Sequence, residues 1–216
     1  MISDALTYPF AGTSRYMLVI GGVLSLLSSV ASLFPLLGLI VAIGASGYFA
    51  AYMFKIINAT ACGQDEPCDW PEFDNFWDDL LIPWLCMVSA TFFSFAPYAL
   101  VSIVTDDSRV ATSVLLALGF AHLPMAILCV ALSGSLRSAF WATTLPRILS
   151  CLPQYVAPVL FIGGLYFVRG LLGNVLSNIP IVGWFVSFFL GMYFLMVTGR
   201  VIGLFIRANE CAYGSK

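Results

Sequence analysis

Apolar residues run through this chain in six blocks, separated by short stretches where proline, glycine and charge collect. The blocks predict helical spans at about 16–34, 36–57, 80–104, 110–133, 154–172 and 181–206, each about as long as the hydrocarbon of a bilayer requires. Pro35, Pro153 and Pro180 fall at predicted helix ends, where a missing N–H costs least. The expected fold is all-α: one polytopic transmembrane helical bundle over residues 1–216, with short amphipathic interfacial helices between spans.

Composition supports the pattern. The chain is 61% hydrophobic and 9% charged, where a soluble domain carries about 25% charged residues. A net charge of −2 offers no basic stripe for phosphates, so nucleic acid is not an expected partner. Membrane lipid is, and so are other membrane subunits. The opening "MISDALTYPFAGTSR" lacks the basic-then-apolar pattern of a cleaved signal peptide, and the first span is expected to be retained.

Charge sets the expected orientation. With six spans, Arg15, Lys55, Arg137, Arg147, Arg200, Arg207 and Lys216 share one side, seven of the nine basic residues. Positive charge is retained in the cytoplasm, so both termini and the 58–79 loop are expected there. Arg109 and Arg169 fall on the other side, near Asp106 and Asp107, as boundary anchors or pairs.

Seven of the eleven acidic residues lie in that one loop, "ACGQDEPCDWPEFDNFWDD". Asp69 with Glu72 resembles a capping box, and Pro71 suits a first turn. Trp70, Phe73, Phe76, Trp77, Leu80, Leu81 and Trp84 then recur at helical spacing, with Asp74, Asp78 and Asp79 largely opposite. The pattern predicts an interfacial helix leading into the third span. Acid is unusual against an anionic leaflet. Basic residues on the same face would neutralise it, or a basic partner or cation would. "SLRSAFWATTLPRIL", residues 135–149, carries Arg137 and Arg147 on an amphipathic pattern and is the expected neighbour, completing a charged belt.

Small residues mark expected seams. Ser25, Ser28, Ser29 and Ser32 line one face of the first span, and Gly183, Ser187, Gly191, Gly199 and Gly203 recur along the sixth. Such spacing lets helix backbones approach closely. The second and sixth spans also align without a gap, sharing among others Pro35/Pro180, Gly38/Gly183, Tyr48/Tyr193 and Lys55/Arg200, which suggests a parallel duplication.

Candidate chemistry is sparse. Cys86 and Cys129 read as apolar fillers. Cys62, Cys68, Cys151 and Cys211 share the loop side, but their spacing is not that of a zinc site, and no metal is expected. His122, the only histidine, lies mid-span. It reads either as a packed neutral ring or as a cofactor ligand, such as to haem or a pigment. No nucleotide loop, metalloprotease motif or nucleophile elbow is present and no carboxylate lies deep in a span, so catalysis is not expected.

The stretches "DALTYPF", "SGYFAAYMFKII", "DWPEFDNFWDDLL" and "TGRVIGLFIRANE" resemble an uncharacterised bacterial membrane family, domain of unknown function 4013. The resemblance implies a small helical bundle in a bacterial inner membrane and carries no catalytic residues. The expected role is a non-catalytic accessory or scaffold subunit. Its partner or lipid interface would comprise Asp69, Trp70, Glu72, Asp74, Trp77, Asp78, Asp79, Arg137 and Arg147, and His122 would be the residue to bind a cofactor. A passive carrier of a small or hydrophobic solute is the alternative.

Overall fold

Glycine and proline decide where the long helices stop. Gly63 (φ +82°) ends the second span and Gly134 (φ +62°) ends the fourth, both in the left-handed conformation that glycine adopts without strain. At the first corner Pro35 opens a helix, and a Cβ on Gly38 would lie 2.6 Å from the Cα of Ser32, so only glycine lets the chain reverse so tightly.

The structure, a computed structural model, describes residues 2–71, 74–104, 109–179 and 182–209. Glu72, Phe73, Asp106, Asp107, Pro180, Cys211 and Lys216, named above, lie outside them. Eight α-helices follow in order among the described residues: α1 (Ile2–Thr7), α2 (Ser14–Ala31), α3 (Pro35–Ala61), α4 (Ile82–Val104), α5 (Arg109–Ser133), α6 (Trp141–Ser150), α7 (Leu152–Leu176) and α8 (Val182–Ala208). A π-helical turn, Trp77–Leu81, runs directly into α4. Six of the helices are long and apolar enough to cross a membrane, and they correspond to the six expected spans.

The bundle is built around α8, which packs on α2, α3 and α7, and around the inner half of α5, where Met125–Val130 are buried without a break. α3 and α8 run side by side in the same direction. Gly199 faces Ile56 and Met53, and Gly203 faces Thr60 so closely that a Cβ would come within 2.5 Å of it. The two stretches that echo one another in sequence are thus direct neighbours. The seam between α2 and α8 is closest at glycine. Ser25 and Ser28 return their hydroxyls to their own helix, at the carbonyls of Gly21 and Leu24. Close approach comes instead from Gly21 on Met192 and Gly22 on Phe189, because only glycine leaves no side chain in the way.

Two features were not expected. The N-terminal residues form α1 and a 3-10 turn at Tyr8–Phe10, which dock on α8. And residues 135–150 pack on α4, α5 and α7.

Candidate functional site

The acidic loop doubles back along α3. Cys68 Sγ reaches the Lys55 carbonyl, Lys55 Nζ donates to the Trp70 carbonyl at 3.3 Å, and the Tyr48 hydroxyl donates to that of Pro71 at 2.8 Å. Trp70 lies against Tyr48 and Tyr52, both at 5.0 Å between ring centroids. The expected helix from Asp69 is therefore absent at 69–71, and Trp70 faces the protein rather than lipid. Pro67 and Pro71 remove two backbone donors and steer Trp70 from helical geometry. Side chains of α3 take up the carbonyls that a helix would have used.

The helix begins at Phe76 instead, capped one residue earlier. Asn75 Oδ1 accepts from the N–H of Trp77 at 3.1 Å, and Asp79 Oδ2 accepts from the N–H groups of Asp74 and Asn75 at 2.9 and 2.7 Å. Asp78 holds the Asn75 side chain at 2.7 Å. Asp78 and Asp79 thus start α4's long helix, a role that uses both charge and hydrogen bonding at a helix N-terminus. Phe76 and Trp77 are exposed beside them.

Under the loop lies an open cavity of about 960 Å³, lined by Asp65, Glu66, Asp69, Asp78 and Asp79 on one side and Lys55 and Asn58 of α3 on the other. Cys62 and Cys68 also border it. Among the described residues no three of His, Cys, Asp and Glu come together as metal ligands.

One wall of this region is fixed by Arg200, whose side chain is 1% exposed. Nε donates to Asp4 Oδ2 at 3.0 Å, Nη2 to Asp65 Oδ1 at 3.0 Å, and Nη1 to Thr60 Oγ1 and the Gln64 carbonyl at 3.1 and 2.9 Å. Its planar face lies 5.0 Å from the Tyr8 ring centroid. Arg207 binds the same Asp65 oxygen at 2.7 Å. The loop's ion pairs thus run to Arg200 and Arg207. Arg147 reaches Cys129 Sγ at 3.0 Å and Arg137 is exposed, and among the described residues no ion pair joins Arg137 or Arg147 to the acidic segment as the expected belt would. The reason is topological: residues 135–150 turn inward between other helices.

Outside the spans, three groups here have shifted ionisation. Hydrogen bonds from Arg207 and then Arg200 hold the Asp65 carboxyl below the usual aspartate range. Burial pushes the Tyr8 hydroxyl up to about 12, and its oxygen accepts the N–H of Cys68 at 3.2 Å. Burial likewise raises the Cys68 thiol.

His122 occupies a separate polar seam. Nδ1 lies 2.8 Å from Ser94 Oγ and Nε2 2.6 Å from Thr144 Oγ1, and the ring stacks on Trp141 at 3.9 Å. Both nitrogens are engaged, an arrangement that leaves no lone pair for an axial ligand without breaking a bond. It ties α4, α5 and α6 together, as polar contacts between membrane helices do. Neighbouring prolines explain the rest of the seam. Pro97 deprives the Phe93 carbonyl of its helical donor, and Trp141 Nε1 supplies one at 2.6 Å. One residue beyond Pro124, the Tyr155 hydroxyl sits inside α5's own ladder, accepting from Met125 N at 3.0 Å and donating to the Ala121 carbonyl at 2.7 Å. Arg200 was read in the sequence only as an orienting charge and as the counterpart of Lys55, and Tyr155 and Trp141 were given no role; only their being polar groups within or beside apolar spans marked them.

Compared with family models, curated proteins and solved structures, the chain matches none.

Proposed function

We propose that this multi-pass protein is a non-catalytic accessory subunit of a bacterial inner-membrane complex, and that the cavity under its acidic loop receives a basic segment of a partner subunit. The observation that carries the reading is the cavity's charge: five carboxylates against one lysine. Asp65 is spent on Arg200 and Arg207, and Asp78 and Asp79 on starting a helix. Glu66 and Asp69 enter no ion pair among the described residues. Concave, like-charged walls focus the field and favour an oppositely charged partner. The excess of Lys and Arg on this face supports a cytoplasmic location for both termini and the loop. The bacterial setting rests on the family resemblance of the motifs quoted above. The exposed Trp77, and Arg137 and Arg147 on the same side, suit contact with headgroups.

The test separates docking charge from structural charge. The protein is extracted gently from its native membranes as wild type and as the Glu66→Gln/Asp69→Asn double variant, and bound subunits are identified. Expected is a stoichiometric partner, released by salt and lost in the double variant while the thermal midpoint is unchanged. A partner retained equally by both forms, or a wild-type protein that runs alone, defeats the reading. A membrane-impermeant thiol reagent on intact cells checks the orientation: Cys62 should be protected until the membrane is opened.

A further inference from the structure

Arg169 is an exposed cation within a membrane span, and no anion among the described residues balances it. It lies in α7 seven residues before Leu176, and its Nη2 is 3.6 Å from the position a Cβ of Gly191 would take. Gly191 is nine residues into α8, about 13 Å along the axis at 1.5 Å per residue. Sequence patterning places Arg169 at the outer boundary facing Asp106 and Asp107, which lie outside the described residues. Its side chain lines a cavity of about 270 Å³ among Ser25, Phe49, Met87, Tyr166, Gly191 and Thr198. No carboxylate lines that cavity, and Arg169 has no ion pair or hydrogen bond among the described residues. Arginine stays charged in such a place, and a charge in hydrocarbon is costly unless paired.

A second cavity shares two of its lining residues. Tyr166 and Thr198 border both, and beyond them an apolar groove of about 700 Å³ runs between α5 and α7 past Phe120, Pro124, Leu160 and Phe167. Gly163 and Gly164 form its open wall on α7, with no atom within 4 Å of where their Cβ atoms would be. A cavity with one fixed positive charge thus adjoins, across Tyr166 and Thr198, an apolar groove of the size that encloses small ligands.

We propose that Arg169 and this groove bind an amphipathic anion, a carboxylate or phosphate group carrying an acyl chain. The head group would take two parallel hydrogen bonds from the guanidinium fork, the geometry in which arginine holds carboxylate and phosphate. The chain would lie in the α5–α7 groove over the two glycines. The inference is independent of the acidic loop and goes beyond the docking role. Two sources share this chemistry, a free long-chain carboxylate and an anionic phospholipid, and the experiment distinguishes them.

Full-length protein in neutral detergent is titrated with a fluorescent C18 carboxylate and with its methyl ester; in parallel, lipids retained through purification are extracted and weighed by mass spectrometry. Expected is saturable one-to-one binding of the carboxylate, weakened about ten- to hundredfold by Arg169→Gln, with Arg169→Lys intermediate and the ester bound no better than to Arg169→Gln. Gly163→Leu, which narrows the groove without touching the charge, should also weaken it. If a phospholipid is the ligand, an anionic phospholipid co-purifies with wild type in one-to-one ratio and is lost from Arg169→Gln, and the carboxylate competes with it. Equal binding by wild type and Arg169→Gln with both folded, or equal binding of ester and acid, overturns the proposal. Because Arg169→Lys keeps the charge, its behaviour separates a binding loss from a folding loss.

Discussion

The indole nitrogen of Trp141 donates to the carbonyl of Phe93 at 2.6 Å, and that carbonyl is free because the residue four positions on, Pro97, has no N–H to give. The pair is a specific dependence rather than a general packing contact, and it can be dissected. Trp141→Phe should destabilise the folded protein by about 1–2 kcal/mol, through the lost bond and the stranded carbonyl. In a Pro97→Ala background the new backbone N–H satisfies Phe93 within α4, and the same Trp141→Phe change should cost measurably less. A double-mutant cycle on reversible unfolding in detergent gives the coupling directly. Zero coupling would mean the indole bond contributes nothing.

Arg200 should resist its conservative replacement. The guanidinium meets four acceptors in three directions, and a lysine ammonium cannot reach them together. Arg200→Lys is expected to cost about 1.5–3 kcal/mol, the range of a lost hydrogen bond to a charged group, and to raise hydrogen exchange in residues 2–10 and 64–68 specifically. Asp4→Asn or Asp65→Asn alone should cost less than Arg200→Lys, because those carboxylates are exposed and can return to water. Exchange that rises uniformly over the bundle would point to a general core defect instead.

Acid should release the tie between loop and α8. The Asp65 carboxyl is held below its ordinary range by Arg207 and Arg200. Its contribution is therefore fully present above the unfolded-state value of about 3.9 and is lost as pH falls through the lower folded-state value. Between neutrality and about pH 4 the loop's exchange protection should hold on this account, and it should decline only below that. Asp65→Asn should abolish that acid step while leaving the plateau lower throughout.

Two neighbouring thiols should differ in reactivity. Cys62 is exposed, whereas Cys68 is buried with its thiol raised by burial and its backbone N–H held by the Tyr8 hydroxyl. At neutral pH a maleimide should label Cys62 well before Cys68, and denaturant should equalise them. Tyr8→Phe should speed labelling of Cys68 without changing Cys62.

The six spans were legible because each is a long apolar run, and that signal needs no knowledge of neighbours. Gly199 and Gly203 were legible as a seam for a similar reason, since four-residue spacing is local. The acidic segment was misread locally: Asp69, Pro71 and Trp70 have the composition of an amphipathic start, but the Trp70 and Pro71 carbonyls are claimed by Lys55 and Tyr48 from another helix. Periodicity cannot report such a claim. The same holds for Trp141, whose acceptor is 48 residues away, and for Arg200, which a count of surface charge treats like any other basic residue although it is buried. In a chain where both faces of a helix are apolar, polar partners that meet across the bundle leave almost no trace in either stretch alone.

The Tyr155 hydroxyl has a consequence for movement. It is threaded between an amide and a carbonyl of α5, so α7 completes a backbone connection that α5 lacks by itself. Drawing the two helices apart would break that connection at the turn after Pro124; pressing them together would preserve it. The width of the crevice between them is therefore coupled to the straightness of α5, and whatever enters the crevice would bend or relax that helix.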